Sequence, residues 1–176
     1  MSGVLSDNVG RAGGLVKAAG GGGFTLATEQ ATTSGTVFTF GSIPAGTTMI
    51  VIMFEGVSQS STGEYHVTIG DSGGLETSGY ITAGGEIGAG VPGVAITASF
   101  IVGRFSVAAG LYSGNILLAL KDSANFTWVC HGLLVPSAGQ NVGIFGGGAK
   151  SLTAELTQLS IFGGTFDAGS INIMYI

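Results

Sequence analysis

Beyond Phe24 the apolar residues come in short alternating runs cut by glycine, and almost none keeps the three- and four-residue spacing of a helix. Val37–Phe40 alternates, and Ile43-Pro44-Ala45-Gly46 then reads as a turn with proline fixing φ at its second position. Thr47–Val57 is apolar on both faces, which predicts a central strand covered on each side. Tyr65, Val67 and Ile69 alternate with His66, Thr68 and Gly70, which predicts one dry and one wet face. Tyr80–Thr82, Ala95–Val102 and Phe105–Ala108 follow between glycine clusters. Asn115–Leu120 and Phe126–Val135 flank Lys121-Asp122-Ser123-Ala124-Asn125, a hairpin loop rich in turn formers. Val142–Phe145, Leu152–Phe162 and Ile171–Ile176 bring the expectation to about ten strands. Leu152, Leu156 and Leu159 also fit a helix, but Thr153 and Thr157 tip that segment toward strand. Parallel crossover units lack the helices they need. The expected fold is all-β, an antiparallel β-sandwich that is jelly-roll-like, with an extended N-terminal arm.

The organisation is one domain behind one arm. Residues 1–23 are small-residue arm and glycine hinge, ending in Gly20-Gly21-Gly22-Gly23; residues 24–176 are the sandwich. The arm's isolated side chains Leu5, Val9, Arg11, Leu15, Val16 and Lys17 are the candidates for contact with a partner. Composition sharpens that idea. Lys and Arg number 5 and Asp and Glu 10, so charged residues make up 9% of the chain, against about 25% in an ordinary soluble domain. With a mean hydropathy of +0.56, the chain is short of charge for a free surface, and copies of itself or other proteins are expected to cover part of it.

Membrane insertion does not account for the hydropathy. The longest apolar run is Met49–Phe54, whereas a spanning helix needs about 20 residues. A membrane barrel alternates lipid-facing and polar residues, and several strands here are apolar on nearly every residue. Met1–Asp7 lacks the basic and apolar regions of a signal peptide. The single cysteine, Cys130, has no partner for an intrachain disulfide, so a reducing compartment is expected. The basic residues Arg11, Lys17, Arg104, Lys121 and Lys150 are scattered in a chain of net charge −5, which argues against nucleic acid as a partner.

Several strings imitate catalytic motifs. Gly70-Asp71-Ser72-Gly73-Gly74 matches a serine-nucleophile segment, yet His66 is only six residues upstream and no helix can follow the serine. A glycine-rich turn with Asp71 capping it is the expectation. Gly143–Ser151 resembles a phosphate-binding loop, but Ala149 puts Lys150 one position late, and a loop between strands is expected there. His66 and His131 share no ligand spacing with Cys130, Glu64 or Asp71, and no carboxylate cluster could cage calcium. Trp128 is expected in the core, with Tyr65, Tyr80 and Tyr112 as the better candidates for surface contact. No catalytic activity, metal or cofactor is expected.

Two terminal strings, Ser2–Lys17 and Phe166–Tyr175, resemble those of small virion proteins of tailed bacteriophages. Ile43–Gly46 leading into Met49–Val57, and Ile69–Gly74, are similar to segments of the same group, so the likeness spans nearly the whole chain. The resemblance implies a jelly-roll-like, usually trimeric protein, either a head decoration (cement) protein or part of a tail fibre. The expected role is a homotrimeric capsid decoration protein, made in the host cytoplasm and resident in the virion. It would contact the major capsid protein or other virion proteins, with neither nucleic acid nor membrane as partner. The alternative is a tail-fibre or receptor-binding module recognising host surface glycans.

Overall fold

The computed structural model describes residues 23–88, 92–108, 110–137 and 141–176. Early strands are β1 (Thr25–Leu26), β2 (Gln30–Ala31), β3 (Val37–Phe40), β4 (Met49–Gln59) and β5 (Gly63–Asp71). Next come β6 (Gly74–Leu75), β7 (Ile81–Ile87), β8 (Val94–Ile96) and β9 (Phe100–Phe105). Finally there are β10 (Tyr112–Asp122), β11 (Thr127–Pro136), β12 (Gly143–Ser151), β13 (Gln158–Phe162) and β14 (Phe166–Tyr175). These fourteen strands exceed the number expected because several are two or three residues long.

All pairings are antiparallel, in two sheets packed face to face. The larger sheet has nine strands in the order β1-β14-β4-β10-β11-β12-β7-β8, with β2 also on β14. The smaller has five: β3-β13-β5, with β6 and β9 sharing the far side of β5. The chain crosses repeatedly between the two sheets of this β-sandwich and adds the consecutive meander β10-β11-β12 within the larger one. Ile50, Ile52 and Phe54 of β4 and Ile116 and Leu118 of β10 meet Val67, Ile69, Leu159 and Ile161 of the smaller sheet in a continuous core. Each such side chain contributes about 1.5–3 kcal/mol by leaving water.

Local chemistry explains the connections. The turn into β4 is Pro44–Thr47 rather than Ile43–Gly46: Thr47 N–H donates to Pro44 O at 3.3 Å, and Gly46 has φ +81°. Proline therefore opens the turn, and glycine supplies the left-handed third position. In the β10–β11 hairpin, Asp122 Oδ1 accepts from Ala124 N–H at 2.9 Å, as the turn formers predict. The segment expected as one strand over Leu152–Phe162 is a strand only from Gln158. Leu152 and Leu156 enter the core from a bent loop, so burial and not strand pairing accounts for their apolar character.

Gly143–Ser151, expected as strand only as far as Phe145 and otherwise as a loop, is strand β12 throughout. Its glycines serve close approach. A Cβ at position 146 would stand 2.1 Å from Ile101 O, and one at Gly84 on β7 would stand 2.6 Å from Ile101 Cγ2. The backbone of β9 thus rests almost directly on the larger sheet. Thr82 Oγ1 ties the layers, accepting from Ile101 N–H at 3.0 Å and donating to Gly147 O at 2.9 Å.

Candidate assembly surface

The two outer faces of the sandwich differ in chemistry. On the smaller sheet, Glu64 pairs with Arg104 at 3.5 Å, and His66 Nδ1 is 3.0 Å from Ser99 Oγ with its ring stacked on Phe162 at 4.9 Å. Burial lowers the His66 pKa below its ordinary 6.5, with the Glu64 carboxylate partly opposing. This face is polar but less wet than the alternation predicted: Thr68 and Gly70 are buried, because the β6 backbone folds over Gly70 and Ser160 flanks Thr68.

The outer face of the larger sheet is apolar. Side chains alternate across a strand, so residues paired in register and flanked by core residues share this face. One row runs Met49, Ala119, Val129, Ala149, Ile81. The next runs Met174, Val51, Leu117, His131, Gly147, Ala83. A third runs Asn172, Met53, Asn115, Leu133, Phe145, Gly85. The β4 side is half-buried by its own neighbours. The β11–β12–β7 side is open, with Ile81 78%, Leu133 53%, Val135 50% and Phe145 43% exposed. The expectation that Thr47–Val57 is covered on both faces therefore holds for one face only. Ile50, Ile52 and Phe54 are sealed, while Met49, Val51 and Met53 look outward and are only half-buried.

The sequence candidates fall elsewhere. Leu5, Val9, Arg11, Leu15, Val16 and Lys17, with the arm that carries them, lie outside the described residues. Ser72 sits at the exposed tip of the β5–β6 turn, where Asp71 Oδ1 accepts from Gly73 N–H at 2.7 Å and Asp71 Oδ2 from Thr153 Oγ1 at 2.6 Å. That is the capped turn anticipated, and His66 is engaged with Ser99 instead. Lys150, inside β12, bonds the Glu76 carboxylate and Ser151 O and lies 5.5 Å from the Tyr80 ring centre. Among the described residues, no group of three or more His, Cys, Asp and Glu side chains is arranged to hold a metal ion. No helix there is long and apolar enough to cross a membrane.

Trp128 is in the core, as expected, but the three tyrosines proposed for surface contact are buried too. Tyr65 donates to Val57 O at 3.0 Å and packs against Phe54, Phe105, Tyr112 and Phe166. Tyr80 Oη accepts from Ile69 N–H at 2.9 Å and donates toward Glu76 O at 2.9 Å. Burial raises its pKa to about 12. Backbone groups satisfy the hydroxyls of Tyr65 and Tyr80, whereas Tyr112 Oη is buried among the described residues without a hydrogen-bond partner. Burial likewise pushes the Cys130 thiol up.

The residues that sequence reading missed are Ile81, Val129, Leu133, Val135 and Phe145. Their signal was the apolar character of both faces of β11, where His131 is the one side chain that ionises near neutral pH. Comparison with protein-family models, with curated proteins and with solved structures returned no match.

Proposed function

We propose that this chain is a virion structural protein, a homotrimeric decoration (cement) protein that stabilises the head of a tailed phage by contact with capsid subunits. One observation carries the reading: an apolar sheet face, outward and uncovered by the described residues, on a chain with 9% charged residues. Apolar patches toward the upper end of what monomers expose are often functional, and a shell component has neighbours to cover one. The resemblance of Ser2–Lys17 and Phe166–Tyr175 to phage virion proteins supplies the setting. In this reading the arm side chains Leu5, Val9, Arg11, Leu15, Val16 and Lys17 add contacts beyond the sandwich.

The glycan-binding alternative draws less support, since an aromatic platform needs exposed rings and Trp128, Tyr65, Tyr80 and Tyr112 are in the core. Labelled antibody on intact particles tests the assignment. Gold on heads supports it, gold on tails moves the protein to the fibre, and no gold on any particle removes the virion role.

A further inference from the structure

The shell reading leaves open what covers the apolar face of the larger sheet. We infer that its occupant is a second copy of this chain: the face formed by β14, β4, β10, β11, β12 and β7 is turned toward the symmetry axis of a homo-oligomer, where copies meet through it. The inference rests on the shell reading only for its biological setting, and the contact itself stands on four observations.

The face is continuous. Leu133 is paired with Phe145, and Phe145 with Gly85; Val129 is paired with Ala149, and Ala149 with Ile81. No strand between them interrupts the surface. A Cβ at Gly85 would lie 3.4 Å from Phe145 Cζ, so the aromatic ring lies across the glycine of the next strand and flattens the relief.

The face is large enough. Six strands at about 4.8 Å spacing and three rows of outward side chains at about 7 Å give roughly 500 Å² in flat projection. Side-chain relief raises that toward the roughly 800 Å² each partner contributes to a stable interface. Typical monomers leave apolar patches of about 300–600 Å², and the larger of these are often functional.

The face offers a different kind of molecule few specific groups to recognise, the side chains of Asn115, Asn172 and His131 being its polar ones. Its backbone N–H and C=O groups are spent on both sides in the ladder, because β10, β11 and β12 are interior strands. Its three rows hold no Lys, Arg, Asp or Glu, and His131 is their one ionisable group. Only another flat apolar surface complements such a face, and every copy of the chain brings one in equal number.

Most of the charge is held away from it, and what is near lies at the rim. Identical copies of net charge −5 repel wherever their charged surfaces approach. Here Glu64 and Arg104 lie on the opposite sheet, Lys150 and Glu76 are paired off the face, Lys121 and Asp122 end the β10–β11 hairpin, and Glu55, outward on β4 just beyond Met53, marks the rim of the three rows. Face-to-face packing therefore brings like-charged copies together through the part of the surface that carries least charge.

The test uses the full chain in sedimentation velocity at low and high micromolar concentration. Wild type is expected to run as an oligomer, and the Leu133→Lys/Phe145→Lys double variant as a folded monomer with an unchanged circular-dichroism spectrum. Both side chains are already exposed, so lysine there costs the monomer little. Thr39→Lys, on the exposed edge of the smaller sheet, is expected to leave the oligomer intact. Should the double variant misfold, Phe145→Cys with a short bis-maleimide replaces it. Crosslinked chains support the contact and their absence overturns it, the buried Cys130 thiol being out of reach of the reagent. A wild type that is monomeric throughout, or an oligomer that survives the double substitution, overturns the inference. Particle labelling is read separately: an oligomer held by this face that decorates no particle sinks the shell role alone, and a monomer that decorates heads sinks the contact alone.

Discussion

Replacing one hydrogen at Gly146 tests how closely the two sheets pack. A Cβ built there stands 2.1 Å from Ile101 O, more than an ångström short of the 3.4 Å at which such contacts become ordinary. The obstacle is backbone, so no side-chain rotation relieves it, and β9 must lift from the larger sheet. Lifting also strains the Ile101 N–H bond to Thr82 Oγ1, now 3.0 Å. Overpacking a core typically costs about 1–3 kcal/mol, and a rigid backbone obstacle puts Gly146→Ala at about 3 kcal/mol. At about 2–4 °C per kcal/mol for a domain of this size, the melting temperature should fall by about 6–12 °C. Gly41→Ala is the control, because a Cβ there meets nothing within 4 Å and the glycine's φ is ordinary. It should stay within about 0.5 kcal/mol of wild type. Both are measured by thermal denaturation at one protein concentration, since self-association would shift both transitions. A Gly146→Ala protein melting within about 2 °C of wild type would refute the claim that β9 sits on the glycine strands.

Two further predictions concern ionisable groups. Burial holds the His66 pKa below 6.5, so the unfolded chain takes up the proton first and stability should decline as pH falls below about 6.5. Asp71 is depressed from 3.8, first by the Thr153 hydroxyl and then by Gly73 N–H, so its contribution is present above that value and is lost at lower pH. His66→Gln should remove the upper step and leave the lower one; melting temperatures across pH that keep both steps would contradict the assignment. Lys150→Met strands the Glu76 carboxylate beside a buried site and should cost about 3 kcal/mol, the low end for a broken buried pair because Thr153 N–H still serves Glu76 at 3.1 Å. Urea unfolding checks this, with Lys150→Met/Glu76→Gln recovering part of the loss; an unchanged midpoint for Lys150→Met would show the pair to be inert.

How much of this was legible depends on whether the deciding partner is local. The β10–β11 hairpin could be read from Lys121–Asn125 because Asp122 caps residues two and three positions away. The capped turn at Asp71 was legible for the same reason. The tyrosines were not. Tyr80 satisfies its hydroxyl through Ile69 and Tyr65 through Val57, and strand pairing and sheet packing bring those partners near. The candidate surface was half legible: two-faced apolar strands announced that something must cover them, without saying which face the chain covers itself.

Alternation, glycine punctuation and the shortage of charge determined an all-β sandwich with apolar surface to hide, since strand period and solvation are properties of the residues in order. Tertiary structure alone decided which residues hide and which wait for a neighbour. Ile50 and Val51 are adjacent apolar residues of one strand, yet one is sealed against the smaller sheet and the other looks outward, half-buried, with no second sheet over it among the described residues. The same holds for Gly146, whose purpose appears only when Ile101 arrives from another sheet. A contact between distant segments is a property of the folded arrangement, and no local pattern carries it.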